Sequence, residues 1–531
     1  MEAIAVLQKY FPIKEVNDLV KIFKYEAENG NPKLAYLSII LGWFEHQLTQ
    51  QKNKIASYND IFPIYEWHDF NKLYEEYHDL VVSKFPNPDI LKKLDEQTAI
   101  KEVSDFIWHH LSKAFFKDKF HIQSVFSFLT VKQLDCFGIA IATVATLQEL
   151  GFNDVHLALS EDHAWLTYGE NNTAEVTWHG KGNEKKRGKP IEYGCDVEIK
   201  YNWLYLGGRS INCTRHMEMV AIINALNPGI NSKMDSEIIG NIQQNLLWLM
   251  FNVGYLDKFP MAVCNIADLE EISPSKDRKY SIEQLYTKAI HTSQTCYQNC
   301  HVYPYTYYAG YLYRVKEFEK AIVIWMQAAE VISRYNYSKE DEEIYKEFSE
   351  ITNTFLPNIV KINPEIFHEE ETLSLILQYF DYLCIWESGS KTPVFHEDWA
   401  KSFIKICSAV PTNVKMDCLK RLKHCAEEEE KETAQTGEVG DIQNTASFNA
   451  VGGLNNDSFD RIKNEEFVKL KIIKSGKMLE IVKILAQSKL NSSAIRLQFC
   501  AQTNIQFVKK GKRSVEESVD APFIKKRRMV R

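Results

Sequence analysis

The chain has 531 residues, of which 45% are hydrophobic and 12% aromatic, and its 63 basic and 71 acidic side chains give a net charge of −8. This length suffices for about three or four structural units with substantial cores, which argues against a disordered protein. No apolar run approaches the ~18–20 residues that span a bilayer, and the first residues lack the basic start of a signal peptide. We therefore expect neither a membrane protein nor a secreted one.

The pattern of cysteines favours an intracellular protein. There are 11 of them, scattered along the chain and odd in number, which suits reduced and mostly buried thiols. No Cys-x-x-Cys pair is present, and His109-His110 lies in an aromatic run that favours packing, so we expect no metal site. Neither common glycine-rich phosphate loop occurs, and we expect no nucleotide or other cofactor.

Helical periodicity dominates the first 150 residues. We assign residues 1–95 to an N-terminal helical region, and residues 97–129 are strongly amphipathic and aromatic. A further helix is predicted from Cys136 to Leu150, and Gly151 follows where a left-handed cap is needed.

Strand-like alternation of apolar and polar residues begins after Gly151. The predicted strands are Val155–Leu159, Ala164–Tyr168, Ala174–Trp178, Val197–Tyr201 and Trp203–Leu206. They indicate a small, mainly antiparallel sheet, with the basic stretch Lys181–Lys189 as an exposed loop. Together with the preceding helices they form a predicted domain over residues 96–215.

Helical periodicity returns from Met217 to about Phe403, and we divide this region into domains at 216–370 and 371–426. Four residues occupy the small and aromatic positions of a tetratricopeptide helix pair: Ala309, Ala321, Trp325 and Ala328. Residues Leu246–Ile266 resemble a more degenerate unit of the same kind. Such repeats stack into a superhelix that binds extended peptides, although an ordinary helical hairpin fits the pattern equally well.

The last hundred residues change in composition. An acidic and polar linker is predicted over 427–462. A helix around Lys477–Gln487 and a strand over Ala494–Phe499 follow, within a docked segment at 463–508.

The tail, residues 509–531, holds nine basic and three acidic side chains. Its two basic clusters, which favour a nuclear localisation signal, are Lys509, Lys510, Lys512, Arg513, Lys525, Lys526, Arg527 and Arg528. Two alternatives remain: an arm that contacts DNA phosphates without sequence specificity, and a tail that merely keeps the protein soluble.

Three residues have the order of a cysteine-dependent catalytic site. Cys136 begins a predicted helix, His163 follows in a strand hairpin, and Glu175 lies on the next strand. A helix N-terminus favours thiolate, an imidazole accepts the thiol proton, and a carboxylate orients the imidazole. The order resembles the transglutaminase-like, papain-related core, although the third member there is typically aspartate. The alternative is that Cys136 is a buried hydrophobic residue and that the His-Ala-Trp hairpin persists as packing after activity is lost.

Long blocks of the sequence, in order, resemble the menin family, a family of tumour-suppressor scaffolds. These blocks are Phe11–Ile13, His121–Phe128, Asp154–Trp165, Thr173–Glu184, Glu340–Phe348, Ser388–Ser390, Thr392–Val394 and Asn491–Ile495. The resemblance covers most of the chain outside the linker, and the short linker is similar to that of an invertebrate relative.

The resemblance implies a predominantly α fold with a small antiparallel sheet. A transglutaminase-like domain would precede a helical palm with tetratricopeptide-like motifs and C-terminal helical fingers. It also implies a nuclear, non-enzymatic scaffold that regulates transcription through chromatin modification. A central cavity would bind short Arg/Phe/Pro motifs of mixed-lineage-leukaemia-type histone methyltransferases and of a JunD-like transcription factor. Lens-epithelium-derived growth factor would join the methyltransferase complex.

The positions that match the peptide cavity of the family are Ser160, Asp162, His163, Ala164, Met261, Asn265, Tyr303, Tyr307, Trp325, Glu343, Glu347 and Glu350. The three glutamates share one face of a helix, and carboxylates beside aromatic side chains suit a ligand with arginine and phenylalanine or proline. The chain departs from better-known members at Phe137, Ala221, Asn224, Phe259 and Thr306. Under this interpretation Cys136, His163 and Glu175 are vestigial; the alternative is an acyltransferase or hydrolase that uses them.

Overall fold

The computed structural model describes residues 2–50, 62–112, 120–178, 188–191, 204–228, 233–276, 278–334, 342–389, 394–395, 397–421, 473–487 and 491–500. The chain divides into two compact units, one from Met1 to Tyr307 and one from Tyr308 to Lys509. Helices make up most of the described part of each, as predicted.

The helices of the first unit pack around a core of large aliphatic and aromatic side chains. They are Glu2–Leu7, Val16–Glu28, Leu34–Gln50, Trp67–Lys84, Pro88–Leu91, Glu96–His110, Val125–Thr130, Cys136–Glu149, Arg215–Ala225, Lys233–Asn252, Pro260–Ile272 and Ile282–Cys296, with the first residues of Tyr303–Arg314. Side-chain caps fix several of their starts: the Asp95 carboxylate accepts from Thr98 N, and Ser124 Oγ from Ser127 N. None of the helices within the described ranges is both long and apolar enough to cross a membrane.

The first unit also contains a four-stranded antiparallel sheet in the order β3-β2-β1-β4. The strands are β1 (His156–Leu159), β2 (Ala164–Tyr168), β3 (Asn172–Ala174) and β4 (Ile211–Asn212). The pair Leu159 and Ala164 closes the β1–β2 hairpin. The predicted small antiparallel sheet is therefore confirmed, with its first two strands close to their predicted bounds.

Two predicted strands are wrong. Only Ala174 of the predicted strand Ala174–Trp178 belongs to the sheet. The backbone amide of Thr177, which would donate to a neighbouring strand if the strand continued, donates to the Glu175 side chain instead. The predicted strand Trp203–Leu206 ends instead in a 3-10 turn, Leu206–Gly208, and Gly207 adopts φ +57° there. The prediction at Val197–Tyr201 lies outside the described residues.

The helix Cys136–Glu149 is the buried support of the sheet, and it ends as predicted. Gly151 has φ +85°, and Phe152 N donates to Leu147 O at 2.9 Å across the end of the helix. At the other end, a Cβ on Gly138 would lie 2.7 Å from Ile122 O, so only glycine lets the two segments approach. Gly138 therefore sets how closely the start of this helix approaches residue 122, and Gly151 sets where the helix ends.

The second unit is helical in every described segment of regular structure. Its helices are the rest of Tyr303–Arg314, Phe318–Ile332, Glu342–Glu350, Leu356–Ile362, Glu370–Gly389, Glu397–Ala409, residues 412–421, Gly476–Leu485 and Ser492–Cys500, with a π-helical turn at Ile351–Phe355. The predicted strand Ala494–Phe499 is wrong, because Asn491 caps a helix by accepting from Ala494 N. Phe499 then packs against Phe380 and Phe403.

The helix Gly476–Leu485 packs on Glu370–Gly389 through a buried ion pair between Lys477 and Glu387. The Asp381 carboxylate also accepts from Lys474 N and Ser475 N, at 2.9 and 2.8 Å. The linker predicted at 427–462 and the tail lie outside the described residues, and the boundaries predicted for the domains stay predictions.

Candidate functional site

The first unit contains a cavity of about 160 Å³ beside the β1–β2 hairpin. Its lining residues are Gln123, Asp135, Cys136, Phe137, Leu159, Ser160, Glu161, Asp162, His163, Ala164, Ala221, Asn224, Ala225, Phe259, Met261, Asn265, Tyr303 and Tyr307. Eight of the residues carried over from the family line it together: Ser160, Asp162, His163, Ala164, Met261, Asn265, Tyr303 and Tyr307. The structure thus brings residues from three separate parts of the sequence to one place.

The turn of the hairpin presents three of these side chains. Ser160 N donates to His163 O at 2.9 Å, and Ser160 Oγ accepts from His163 N at 3.0 Å. These two bonds close the turn on itself, so Asp162 and His163 project from a rigid backbone. Ser160 therefore acts on the cavity mainly by holding the turn.

His163, which lines the cavity, forms a buried pair with Glu175. His163 Nε2 lies 2.9 Å from Glu175 Oε2, and Tyr205 OH donates to the same oxygen at 2.8 Å. Thr177 N and Thr177 Oγ1 donate to Glu175 Oε1 at 2.7 and 2.6 Å. Burial alone would raise the pKa of Glu175, but His163 and the Thr177 hydrogen bonds outweigh it and lower that pKa. The predicted contact between histidine and carboxylate is present.

Cys136 lies at the start of its helix as predicted, but its surroundings oppose the thiolate. Burial raises the pKa of the thiol well above its usual range, and the nearby carboxylates of Asp135, Glu175 and Asp162 raise it further. Among the hydrogen bonds of the described residues, none joins Cys136 to His163, whose buried Nδ1 atom has no partner there. The hydrogen bonds of the described residues therefore do not include a contact between the Cys136 thiol and the His163 imidazole.

The hairpin turn is joined to the start of helix Tyr303–Arg314 by two consecutive acidic residues. Glu161 accepts from Val302 N and Tyr303 N at 3.0 and 2.7 Å. Tyr303 OH donates to Asp162 Oδ2 at 2.7 Å, and burial, together with Asp162, raises the pKa of Tyr303. Glu161 was missed by sequence reasoning, since its neighbours in space lie about 140 residues further along the chain. These bonds fix the Tyr303 ring, on which Tyr307 stacks at 5.7 Å.

Another part of the lining comes from helices Arg215–Ala225 and Pro260–Ile272. Asn265 Nδ2 donates to Asn224 Oδ1 at 2.8 Å, which joins the two helices inside the cavity. Apolar side chains of Ala221, Phe259 and Met261 lie beside this pair. The cavity therefore combines an aromatic and apolar lining with a few fixed polar groups, as small binding sites generally do.

The remaining predicted site residues belong to the second unit. Trp325 is 1% exposed, and its ring stacks on Phe355 with centroids 5.6 Å apart. Glu343, Glu347 and Glu350 are half-exposed along one face of their helix. The opposite face is buried, as predicted, through Ile344, Phe348 and Ile351. The role of all four residues in peptide binding stays a prediction.

The basic tail predicted as a nuclear localisation signal lies outside the described residues, so its role also stays a prediction. Within the part of the chain that the structure describes, no three His, Cys, Asp or Glu side chains are grouped as metal ligands would be.

Comparison with known proteins identifies the family. The sequence model of the family named Menin matches residues 4–471. The structure is similar to a crystal structure of menin that is described as revealing the binding site for Mixed Lineage Leukemia (MLL) protein. The TM-score is 0.73 at 38% sequence identity, and the match covers 92% of this chain and 99% of that one.

Proposed function

Because this chain belongs to the menin family, we propose that it is a scaffold that captures short Arg/Phe/Pro motifs of MLL-type histone methyltransferases in the cavity beside the β1–β2 hairpin. The observation that carries the proposal is the convergence of the hairpin residues Asp162 and His163 with Tyr303 and Tyr307 on one aromatic cavity. The related menin structure is described as containing an MLL-binding site, which supports the same class of partner here.

The charge of the cavity fits such a ligand. Three carboxylates line it, those of Asp135, Glu161 and Asp162, whereas no lysine or arginine occurs among its described lining residues. A peptide that combines arginine with phenylalanine and proline offers positive charge to the carboxylates and apolar surface to the rings. The second unit carries an acidic surface of its own, formed by Glu343, Glu347 and Glu350.

The proposal extends to the setting of this interaction. The protein would act in the nucleus, where it would also bind a JunD-like transcription factor, and would recruit lens-epithelium-derived growth factor together with the methyltransferase. The hairpin unit would correspond to a transglutaminase-like domain, and the helix pairs after it to tetratricopeptide-like motifs. These points rest on the family and on the sequence patterns.

A scaffold is a better account of the cavity than a cysteine-dependent acyltransferase or hydrolase. The raised pKa of Cys136 keeps the thiol protonated at neutral pH. In addition, the imidazole needed to accept its proton makes no hydrogen bond to it in the described structure. We therefore propose that Cys136, His163 and Glu175 shape a pocket for binding rather than for turnover.

The test is a calorimetric titration with a synthetic Arg/Phe/Pro peptide from an MLL-type methyltransferase. Met261→Trp places a large side chain in the cavity, and Met416→Trp makes the same change at a residue that is 37% exposed in the second unit. We expect wild type and Met416→Trp to bind alike and Met261→Trp to bind at least tenfold more weakly, with all three folded by circular dichroism. Equal affinity in all three would overturn the proposal.

A further inference from the structure

Two cysteines at the end of a helix in the first unit take no part in the function proposed above. Cys296 is the last residue of helix Ile282–Cys296 and is exposed, and Cys300 follows four residues later and is half-buried. The other described cysteines are buried, except Cys136, which is half-buried, and Cys500, which is exposed. Because reagents in solution reach only accessible thiols, this pair stands apart from most of the cysteines of the chain.

The chain reverses direction between the two cysteines in a tight turn. Cys300 N donates to Tyr297 O at 3.1 Å, and the two residues between them, Gln298 and Asn299, have φ +50° and +57°. Positive φ at both central residues is the pattern of a type I′ turn, in which the first and fourth Cα atoms lie within about 7 Å of each other. The turn therefore directs Cys300 back towards the helix that ends at Cys296.

Hydrogen bonds on both sides of Cys300 hold it against the last turns of that helix. Asn299 N donates to Ser293 O at 2.8 Å, and His301 N donates to Ser293 Oγ at 3.1 Å. Ser293 lies three residues before Cys296, and residues at this spacing are neighbours on one face of a helix. Since both neighbours of Cys300 are bonded to a residue one turn before Cys296, the fold keeps the two cysteines close, as a disulfide requires.

We propose that Cys296 and Cys300 form a reversible dithiol–disulfide site whose oxidant is a small-molecule disulfide of the glutathione type. The thiolate of Cys296, the more exposed of the two, attacks the oxidant, forms a mixed disulfide with one half of it and releases the other half as a thiol. The thiolate of Cys300 then displaces the second half and closes the Cys296–Cys300 disulfide. The two cysteines together lose two protons and two electrons, and the oxidant gains them as its two sulfurs become thiols. This site is independent of the proposed function, because it needs no peptide in the cavity.

The experiment equilibrates the full chain in buffers of graded ratios of reduced to oxidised glutathione, followed by acid quenching and mass spectrometry of tryptic peptides. Cleavage after Lys288 and Arg314 gives one peptide that contains both cysteines and no other, so the internal disulfide appears there as the loss of two hydrogen atoms. A synthetic peptide of residues 292–301 has the same spacing without the fold and is the matched reference. Because the turn holds the thiols together, the equilibrium constant for the internal disulfide should be larger in the full chain by a factor of about ten or more.

Two variants and an internal control complete the test. Cys296→Ser and Cys300→Ser should each abolish the internal disulfide and leave the remaining cysteine as a mixed disulfide with glutathione. The exposed Cys500 reports, in the same samples, how readily an accessible thiol of this chain is glutathionylated. Circular dichroism of the oxidised chain should match that of the reduced chain. If the tryptic peptide carries only mixed disulfides, if its internal disulfide is no more stable than that of the reference peptide, or if oxidation unfolds the chain, the proposal is refuted.

Discussion

At the scale of single residues, the environment of Cys136 decides between binding and catalysis. A helix N-terminus carries about half a positive charge, which favours a thiolate. Here the Asp135 carboxylate occupies that N-terminus, accepting from Gly138 N at 2.8 Å, and places a full negative charge beside the thiol. Burial also disfavours the thiolate, so burial and the Asp135 carboxylate together outweigh the helix N-terminus and raise the pKa of the Cys136 thiol.

We therefore predict that Cys136 reacts slowly with iodoacetamide at pH 7, more slowly than the exposed Cys296 and Cys500. Its rate should rise with pH as the solution approaches the raised pKa of the thiol. Asp135→Asn should increase the rate at pH 7 because it removes the neighbouring charge. Peptide mass spectrometry after timed alkylation measures all three sites at once, and faster labelling of Cys136 than of the exposed thiols would favour the catalytic alternative.

Cys136, His163 and Glu175 show what local sequence can predict. The helix start at Cys136 and the contact of His163 with Glu175 follow from a cap and a hairpin within 40 residues, and both were predicted. Tyr205, which donates to Glu175, lies on a segment that meets the hairpin only in the folded unit. No spacing rule connects the two residues, and for this reason their contact was not predicted, whereas a buried Cys136 was one of the two alternatives.

At the scale of elements, Glu161 joins the hairpin turn to the start of helix Tyr303–Arg314, because it accepts from two backbone amides there. The helix start at Cys136, whose cap Asp135 lies in the same segment, was predicted. Strand predictions were wrong at Ala174–Trp178 and at Ala494–Phe499, because a side chain in each case binds the backbone differently from the alternating pattern.

We predict that Glu161→Ala lowers the free energy of unfolding by about 1–3 kcal/mol, because it leaves the amides of Val302 and Tyr303 without their acceptor. Glu319→Ala, which removes an exposed glutamate from the first turn of helix Phe318–Ile332, should change it by less than about 0.5 kcal/mol. Urea unfolding followed by circular dichroism measures both. Equal effects of the two substitutions would show that Glu161 does not cap the helix.

At the scale of the whole molecule, the chain combines a binding cavity in one unit with a helical second unit whose aromatic core includes Trp325. Truncation of a buried tryptophan costs about 3–5 kcal/mol in packing. A loss of peptide affinity in Trp325→Ala is therefore informative only when the variant is shown to be folded.

The charge of the chain yields a further prediction at this scale. Residues 509–531 carry a net charge of +6 in a protein whose overall charge is −8. We predict that replacing the lysines and arginines of both clusters with glutamine moves a fluorescent fusion from the nucleus to the cytoplasm and leaves peptide affinity unchanged. If the variant stays nuclear, the tail has another use, and nonspecific binding to DNA is the first to measure.

The most direct measurement of the central claim is photo-crosslinking of the bound peptide, with its phenylalanine replaced by benzoylphenylalanine. The account predicts adducts, located by mass spectrometry, on residues that line the cavity, above all within Leu159–Ala164, Phe259–Asn265 and Tyr303–Tyr307. An excess of unlabelled peptide should abolish them. Adducts that are competed in the same way but lie only on the second unit would contradict the assignment of the binding site to this cavity.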